Sequence, residues 1–219
     1  MTNHIQEVDS APGLREIHGE LLAPAFPARE LVDVSELLDR VDSGDWTVLA
    51  ARGRDSWLGV AVVQWFPGNL VLLVYLAVAQ GHRGGGLGRD LLLAAMRQSD
   101  ARGCRFLLAE IEPPGVTPER PEFGDPRRRA LFYQAAGGVA LDIPHWQPAI
   151  GAGQPAVRLT LLTLPTTSNG LDAVDGWRIE QFERSYHQAD PESSELAETL
   201  AALEPSRKLS TTALEALYT

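Results

Sequence analysis

The sequence predicts an α/β domain built around a mixed, mostly antiparallel sheet with helices on its faces. Three observations lead there. The apolar runs "DWTVLAAR" (45–52), "WLGVAVVQWF" (57–66) and "LVLLVYLAV" (70–78) are joined only by "GRDS" and "PGN". Connections that short make hairpins, so three antiparallel strands follow one another. The hydrophobic period then changes at Leu87, after which Leu87, Leu91, Leu92, Ala95 and Met96 share one helical face. Beyond that helix, strand-like and helix-like segments alternate.

In order, "HIQEVD" (4–9) reads as a short first strand, and residues 12–43 as helical material interrupted by the prolines of "APAFPAR". "DVSELLDRVDSG" carries its own punctuation: Asp33 as cap, Glu36 three residues on, and Gly44 past the last turn. After the meander and the Leu87 helix, which Gly103 ends, "CRFLLAEIE" (104–112) returns to strand. A Pro- and Glu-rich loop (113–126) leads to the helix "DPRRRALFYQAAGG" (125–138), with Asp125 as cap and Pro126 at its first position. "VALDI" and "AVRLTLLTL" (156–164) read as the last strands, separated by the aromatic and Pro-rich "PHWQPAIGAGQ". Composition shifts after Pro165: a linker precedes helices at 176–188 and 192–203 and a polar tail. The expected organisation is a main domain over 1–165 and a linker with a C-terminal helical extension over 166–219.

Bulk properties narrow the function classes. The 219 residues carry a net charge of −10, which disfavours nucleic acid and anionic membranes as partners and favours a cationic one, although acidity also serves solubility. A single cysteine, Cys104, forms no intramolecular disulfide and builds no cysteine metal site. The N-terminus has no signal-peptide pattern, and the longest apolar run, residues 70–79, is half of what a membrane-spanning helix needs. A cytoplasmic protein without a metal is expected.

The chemistry concentrates in "VAQGHRGGGLGRDLL" (78–92), with five glycines between a strand and a helix. The dinucleotide pattern G-x-G-x-x-G fails, since its third glycine falls on Arg89 or Leu91, and no Gly-Lys-Ser/Thr follows to make a Walker A loop. What remains aims free backbone N–H groups and the positive end of a helix at one spot, with Arg83 and Arg89 adding charge. That is a phosphate site.

Here the sequence resembles a family. Arg83, Gly86 and Gly88 fit the Q/R-x-x-G-x-G/A loop of the GNAT (Gcn5-related) N-acyltransferases, and the element order over most of 1–165 fits as well. The resemblance implies the GNAT fold and acyl-CoA, such as acetyl-CoA, as co-substrate. Its pyrophosphate would lie on residues 83–88 (Arg83, Gly84, Gly85, Gly86, Leu87, Gly88), with Arg89 beside them. The pantetheine would run along the backbone of Leu76, Ala77 and Val78. "ALFYQAAGG" (130–138) is similar to the family's Leu-Tyr helix, which implies Tyr133 as general acid to the departing thiolate. Gly138 departs from that helix's usual Phe.

The general base is read from the residues themselves. Glu110 and Glu112 lie two apart at the end of an apolar strand, hence on one face and roughly 7 Å apart. Either could accept a proton or hold an ammonium; the alternative is a pair of solvated strand-end charges. Tyr75 on the preceding strand and Trp146 in "PHWQP" are candidates for substrate contact, an aromatic near carboxylates suiting a cation. His145 is assigned no catalytic role. The expected activity is direct acyl transfer to a primary amine, a small cationic one above all, in a ternary complex. The alternative is a non-catalytic GNAT-fold module that binds acyl-CoA or a partner protein. The helical extension would cap the cleft or mediate a homodimer in either case.

Overall fold

The computed structural model describes residues 4–113, 125–150, 154–166, 174–204 and 208–217. The expected Pro-rich loop and post-165 linker therefore lie largely outside the described residues. Strand β1 (Ile5–Glu7) leads into α1 (Ala11–Ile17), a π-helical stretch (His18–Leu22), α2 (Ala23–Ala25) and α3 (Val34–Asp42). The meander is β2 (Trp46–Arg52), β3 (Trp57–Phe66) and β4 (Leu70–Val78), followed by a 3-10 turn (Gln80–His82) and α4 (Leu87–Ala101). Then come β5 (Phe106–Ile111), α5 (Pro126–Gln134), β6 (Val139–Leu141), β7 (His145–Gln147) and β8 (Val157–Pro165). Helices α6 (Gly176–Tyr186) and α7 (Ser194–Ala202), strand β9 (Thr211–Ala213) and α8 (Leu214–Leu217) complete the chain.

Local chemistry sets the boundaries where the sequence marks them. Asp33 accepts a hydrogen bond from the Glu36 amide, and Asp125 from the Arg127 amide, so both cap as expected. Helix α5 closes with the Gly138 amide donating to Tyr133 O at 2.9 Å. A Cβ on Gly138 would sit 2.8 Å from that same oxygen, which explains glycine where the related helix carries Phe.

The sheet order is β1-β2-β3-β4-β5-β8-β6-β9, with β7 also pairing β8. Every pairing is antiparallel except β4 with β5. Helices α4 and α5 cover one face, where Leu91, Leu107, Ile111, Ala130 and Leu164 pack together. The other face holds two separate cores. Leu14, Ile17, Leu37 and Trp46 form one under α1 and α3, while Leu108, Leu161, Ile179 and Phe182 form the other under α6. Residues beyond 165 take part on both faces, since Leu214 is buried in the α4 core and Phe182 in the α6 core.

The feature that makes room for a ligand is in β4. Its register against β3 slips between Val62↔Tyr75 and Val63↔Leu73, leaving Val74 as an extra residue. The alternation of faces flips there: Val71 and Leu73 point into the α4 core, whereas Tyr75 and Ala77 point into the α1 core. The bulge also bends the strand away from β5. Their ladder consists of Leu72↔Leu108 and Leu73↔Ala109, and β4 runs on to Val78 without it. A wedge opens in the middle of the sheet, flanked by one edge of β4 and by the end of β5.

Candidate active site

The glycine loop lies at the mouth of this wedge. Residues 80–86 are all exposed. Gly86 is the residue before α4, with φ of +87°, and no side chain caps the helix. Only glycine adopts that conformation without strain, so the chain turns tightly into the helix and leaves the first-turn N–H groups of Leu87, Gly88 and Arg89 facing outward. Arg83 folds back, its Nε donating to Val78 O at 3.1 Å. Gly88 is near α5: a Cβ there would lie 3.7 Å from the Phe132 ring. The loop and the end of β4 that carries Leu76, Ala77 and Val78 beyond the β5 ladder are therefore neighbours.

Tyr133, next to Phe132 on α5, has its ring in the α4 core. Burial pushes its phenol up to about 12, so the hydroxyl keeps its proton throughout the physiological range. Glu112 forms an ion pair with Arg129 of α5. Glu110 points to the opposite side of the sheet, towards α6. The two carboxylates thus do not share a face, because β5 ends at Ile111 and strand alternation no longer governs residue 112. Cys104 stands before the other end of β5, buried, its thiol raised to about 11 by that burial.

The surroundings of Glu110 are what sequence reasoning missed. Its Oε1 is 2.7 Å from His145 Nε2, and its Oε2 accepts from the Tyr186 hydroxyl at 3.2 Å. On the far side, His145 Nδ1 is 2.7 Å from Glu183 Oε1. Both His145 and Glu183 are fully buried, and the Glu110 side chain is 9% exposed. Burial by itself would depress the imidazole, but the carboxylates of Glu183 and Glu110 outweigh it and raise His145 to about 10. Tyr186 stacks on the His145 ring at 9° and titrates well above its ordinary value, first from burial and then from the Glu110 charge. The imidazole is therefore held in a row between two carboxyl groups, one on each ring nitrogen.

Strand β7 explains how the row is assembled. Paired with β8 in the register His145↔Leu159 and Gln147↔Val157, it turns His145 and Gln147 towards α6 and Trp146 away from them. Trp146 accordingly donates its Nε1–H to Glu198 of α7 at 3.2 Å, and its backbone carbonyl lies 2.9 Å from His187 Nε2. Tyr75 is likewise engaged within the fold: its hydroxyl donates to Glu30 O and accepts from the Val32 amide, both at 3.1 Å, while its ring packs on Phe26 and Trp46. Neither expected substrate contact presents a free polar atom to the wedge. Glu183, and His187 just past the end of α6, are buried polar residues on the stripe that includes Ile179 and Phe182. Polar residues on an apolar stripe are a signal the sequence did contain. Among the described residues no cluster of His, Cys, Asp and Glu is arranged to hold a metal ion, and no helix is long and apolar enough to cross a membrane.

Comparison with known proteins agrees with this geometry. Residues 13–120 match the family model described as "Acetyltransferase (GNAT) family". No curated protein matches the sequence. Among solved structures, a GNAT-family protein from Bacteroides thetaiotaomicron is 19% identical with a TM-score of 0.65, the match covering 87% of this chain and 99% of that one. The PaiA N-acetyltransferase of Thermoplasma acidophilum, solved with coenzyme A, is 15% identical with a TM-score of 0.53, covering 75% and 99% of the two chains. A Bacillus subtilis acetyltransferase in complex with CoA is 19% identical with a TM-score of 0.52, covering 75% and 99%. A central, mostly antiparallel sheet flanked by helices is the fold these proteins share.

Proposed function

Residues 13–120 belong to the GNAT acetyltransferase family, and from that premise we propose that the chain transfers an acetyl or other short acyl group from CoA to the primary amine of a small cationic acceptor. The single observation that carries the donor half is the coincidence of an unpaired β4 edge with an uncapped, glycine-opened helix N-terminus. Backbone donors and acceptors along Leu76–Val78 suit the amides of pantetheine, and the N–H groups of 84–88 with Arg83 and Arg89 suit its phosphates. In an otherwise acidic protein this local concentration of positive character is what a CoA ester requires.

The chemistry then follows from the groups around the wedge. The amine nitrogen attacks the thioester carbonyl carbon, the C–N bond forms and the C–S bond breaks. The proton lost from nitrogen goes to Glu110, directly or through water, and the departing thiolate takes a proton from the Tyr133 hydroxyl. A neutral phenol raised to about 12 is in the form needed for that donation. Glu112, paired with Arg129, is left a structural role, and Cys104, protonated and buried, gives no covalent intermediate. The Glu110 carboxylate itself favours an ammonium-bearing acceptor over an anionic one. A cytoplasmic setting suits this chemistry, since acyl-CoA is its co-substrate.

A second reading has one observation in its favour. Both oxygens of Glu110 are already bonded to protein groups, as would suit a non-catalytic module that only binds acyl-CoA. Calorimetric titration of acetyl-CoA into wild type and a G86E/G88E variant tests the donor site. Binding that the variant abolishes supports both readings, and no binding to wild type removes both. Thiol release with a panel of primary amines then separates enzyme from binder.

A further inference from the structure

The mechanism above uses one carboxylate of a buried cluster that holds four further polar side chains: His145, Glu183, Tyr186 and Gln147. None touches the CoA loop. Buried ionisable groups are poor sources of stability, because a well-packed apolar set of similar volume usually does as well. Two carboxyl groups on one imidazole are costlier still, since three ionisable groups are then held together largely out of water. Glu183 Oε2 has no hydrogen-bond partner among the described residues, with His187 Nε2 at 3.7 Å. An arrangement this expensive is explained by what it does to the group at its exposed end.

We propose that His145, Glu183 and Tyr186 are positioning residues for Glu110, and that α6 is thereby a working part of the acceptor site. The inference rests on the reading of Glu110 as the group that receives the amine. Each Glu110 oxygen is fixed by a different donor, Oε1 by the His145 ring and Oε2 by the Tyr186 hydroxyl. Together they lock the carboxylate plane and remove the rotamer freedom a glutamate would otherwise have. The donors are locked in turn: Glu183 holds the far ring nitrogen, the Gln147 side chain bonds the Tyr186 hydroxyl, and the two rings stack. Of the three ionisable groups in the row Glu110 is the one with exposure, its side chain 9% exposed against none for His145 and Glu183. It lies one residue beyond Ala109, where the β4–β5 ladder stops. Its charge also contributes to the raised pKa values of Tyr75, Tyr133 and Tyr186, phenols on three different elements. A fixed anion of that kind selects the ammonium class of acceptor and orients its nitrogen.

The test uses the full chain as wild type, Y186F and E183Q. Y186F removes one hydroxyl and keeps the stacked ring, so it preserves packing where a His145 substitution would strand two carboxylates. Three quantities are read: acetyl-CoA affinity, steady-state thiol release with spermidine and a panel of other primary amines, and the ring 15N signals of His145. In wild type at about pH 8 both ring nitrogens carry protons, and in E183Q that doubly protonated signature is lost. Both variants keep acetyl-CoA affinity, and kcat falls about tenfold, the equivalent of one charge-assisted hydrogen bond. A purely structural role would lower the unfolding temperature and leave kcat of the folded enzyme unchanged. A neutral His145 in wild type overturns the proposal. So does undiminished kcat in folded Y186F and E183Q, and that result leaves acyl transfer itself standing. If wild type binds acetyl-CoA but turns over no amine, acyl transfer fails and the positioning role fails with it.

Discussion

His145 and Glu110, 35 residues apart in the chain, meet with Nε2 2.7 Å from Oε1. The pair joins the unpredicted strand β7 to the end of β5, and Glu183 completes it from α6. Its first consequence is for stability. His145 titrates at about 10 in the fold against 6.5 for a free imidazole. A raised histidine contributes stability that is fully present below the unfolded value and is lost as pH rises through the folded one. The unfolding midpoint of wild type should therefore fall between about pH 6.5 and about pH 10. In E183Q, with one of the two carboxylates gone, the decline should be shallower and finish at lower pH. Thermal melts at a series of pH values check this, and parallel curves for the two proteins would contradict it.

The two glycines at the helix entrance should respond differently. Gly86 has φ of +87°, which an L-residue adopts only with strain, so G86A should cost about 1–2 kcal/mol and weaken acetyl-CoA binding. A Cβ on Gly88 would make only ordinary contacts, 3.5 Å to Val78 and 3.7 Å to Phe132. G88A should leave unfolding unchanged. Equal destabilisation by the two would mean that the turn conformation does not shape this loop.

Kinetics separates donor binding from chemistry. E110Q should lower kcat about a hundredfold, the usual scale for a lost general base, while calorimetry finds acetyl-CoA affinity unchanged. Y133F should lower kcat with the same indifference in binding, most severely for acyl donors whose thiolate leaves least readily. Loss of CoA affinity in either variant would assign that residue to the donor site instead.

Tyr75 gives a prediction of the opposite kind. Y75F leaves the Val32 amide, which its hydroxyl serves at 3.1 Å, buried without that partner. A loss of about 1–3 kcal/mol in denaturant unfolding is expected, with acetyl-CoA affinity and acceptor KM unchanged. An altered acceptor KM without a stability change would restore Tyr75 as a substrate contact.

The framework of the fold was legible because its signals are local. The hairpin connections, the change of period at Leu87 and the caps at Asp33 and Asp125 are each decided within a few residues, and each appears where its chemistry puts it. Strands β7 and β9 were not legible. Each has three residues, and the prolines at 144 and 148 make "HWQ" look like a connection until β8 pairs with it. The turn into α4 was legible for the same local reason, since that backbone conformation is encoded by its own glycines. The carboxylate row was not. His145 takes its meaning from residues 35 and 38 positions away, and Glu112 parts from Glu110 because the strand ends between them.

The late position of α6, β9 and α8 in the chain orders the protein's synthesis. A ribosome delivers the glycine loop and its helix before β5, β8 or α6 exists. Glu183, which completes the row, and Leu214, which fills the α4 core, follow only after β5 and β8. A nascent chain folding from its N-terminus thus forms the glycine turn well before the side chains that fix Glu110 are in place. On the function proposed above, the molecule is for that interval equipped to hold an activated acyl group and not yet to spend it.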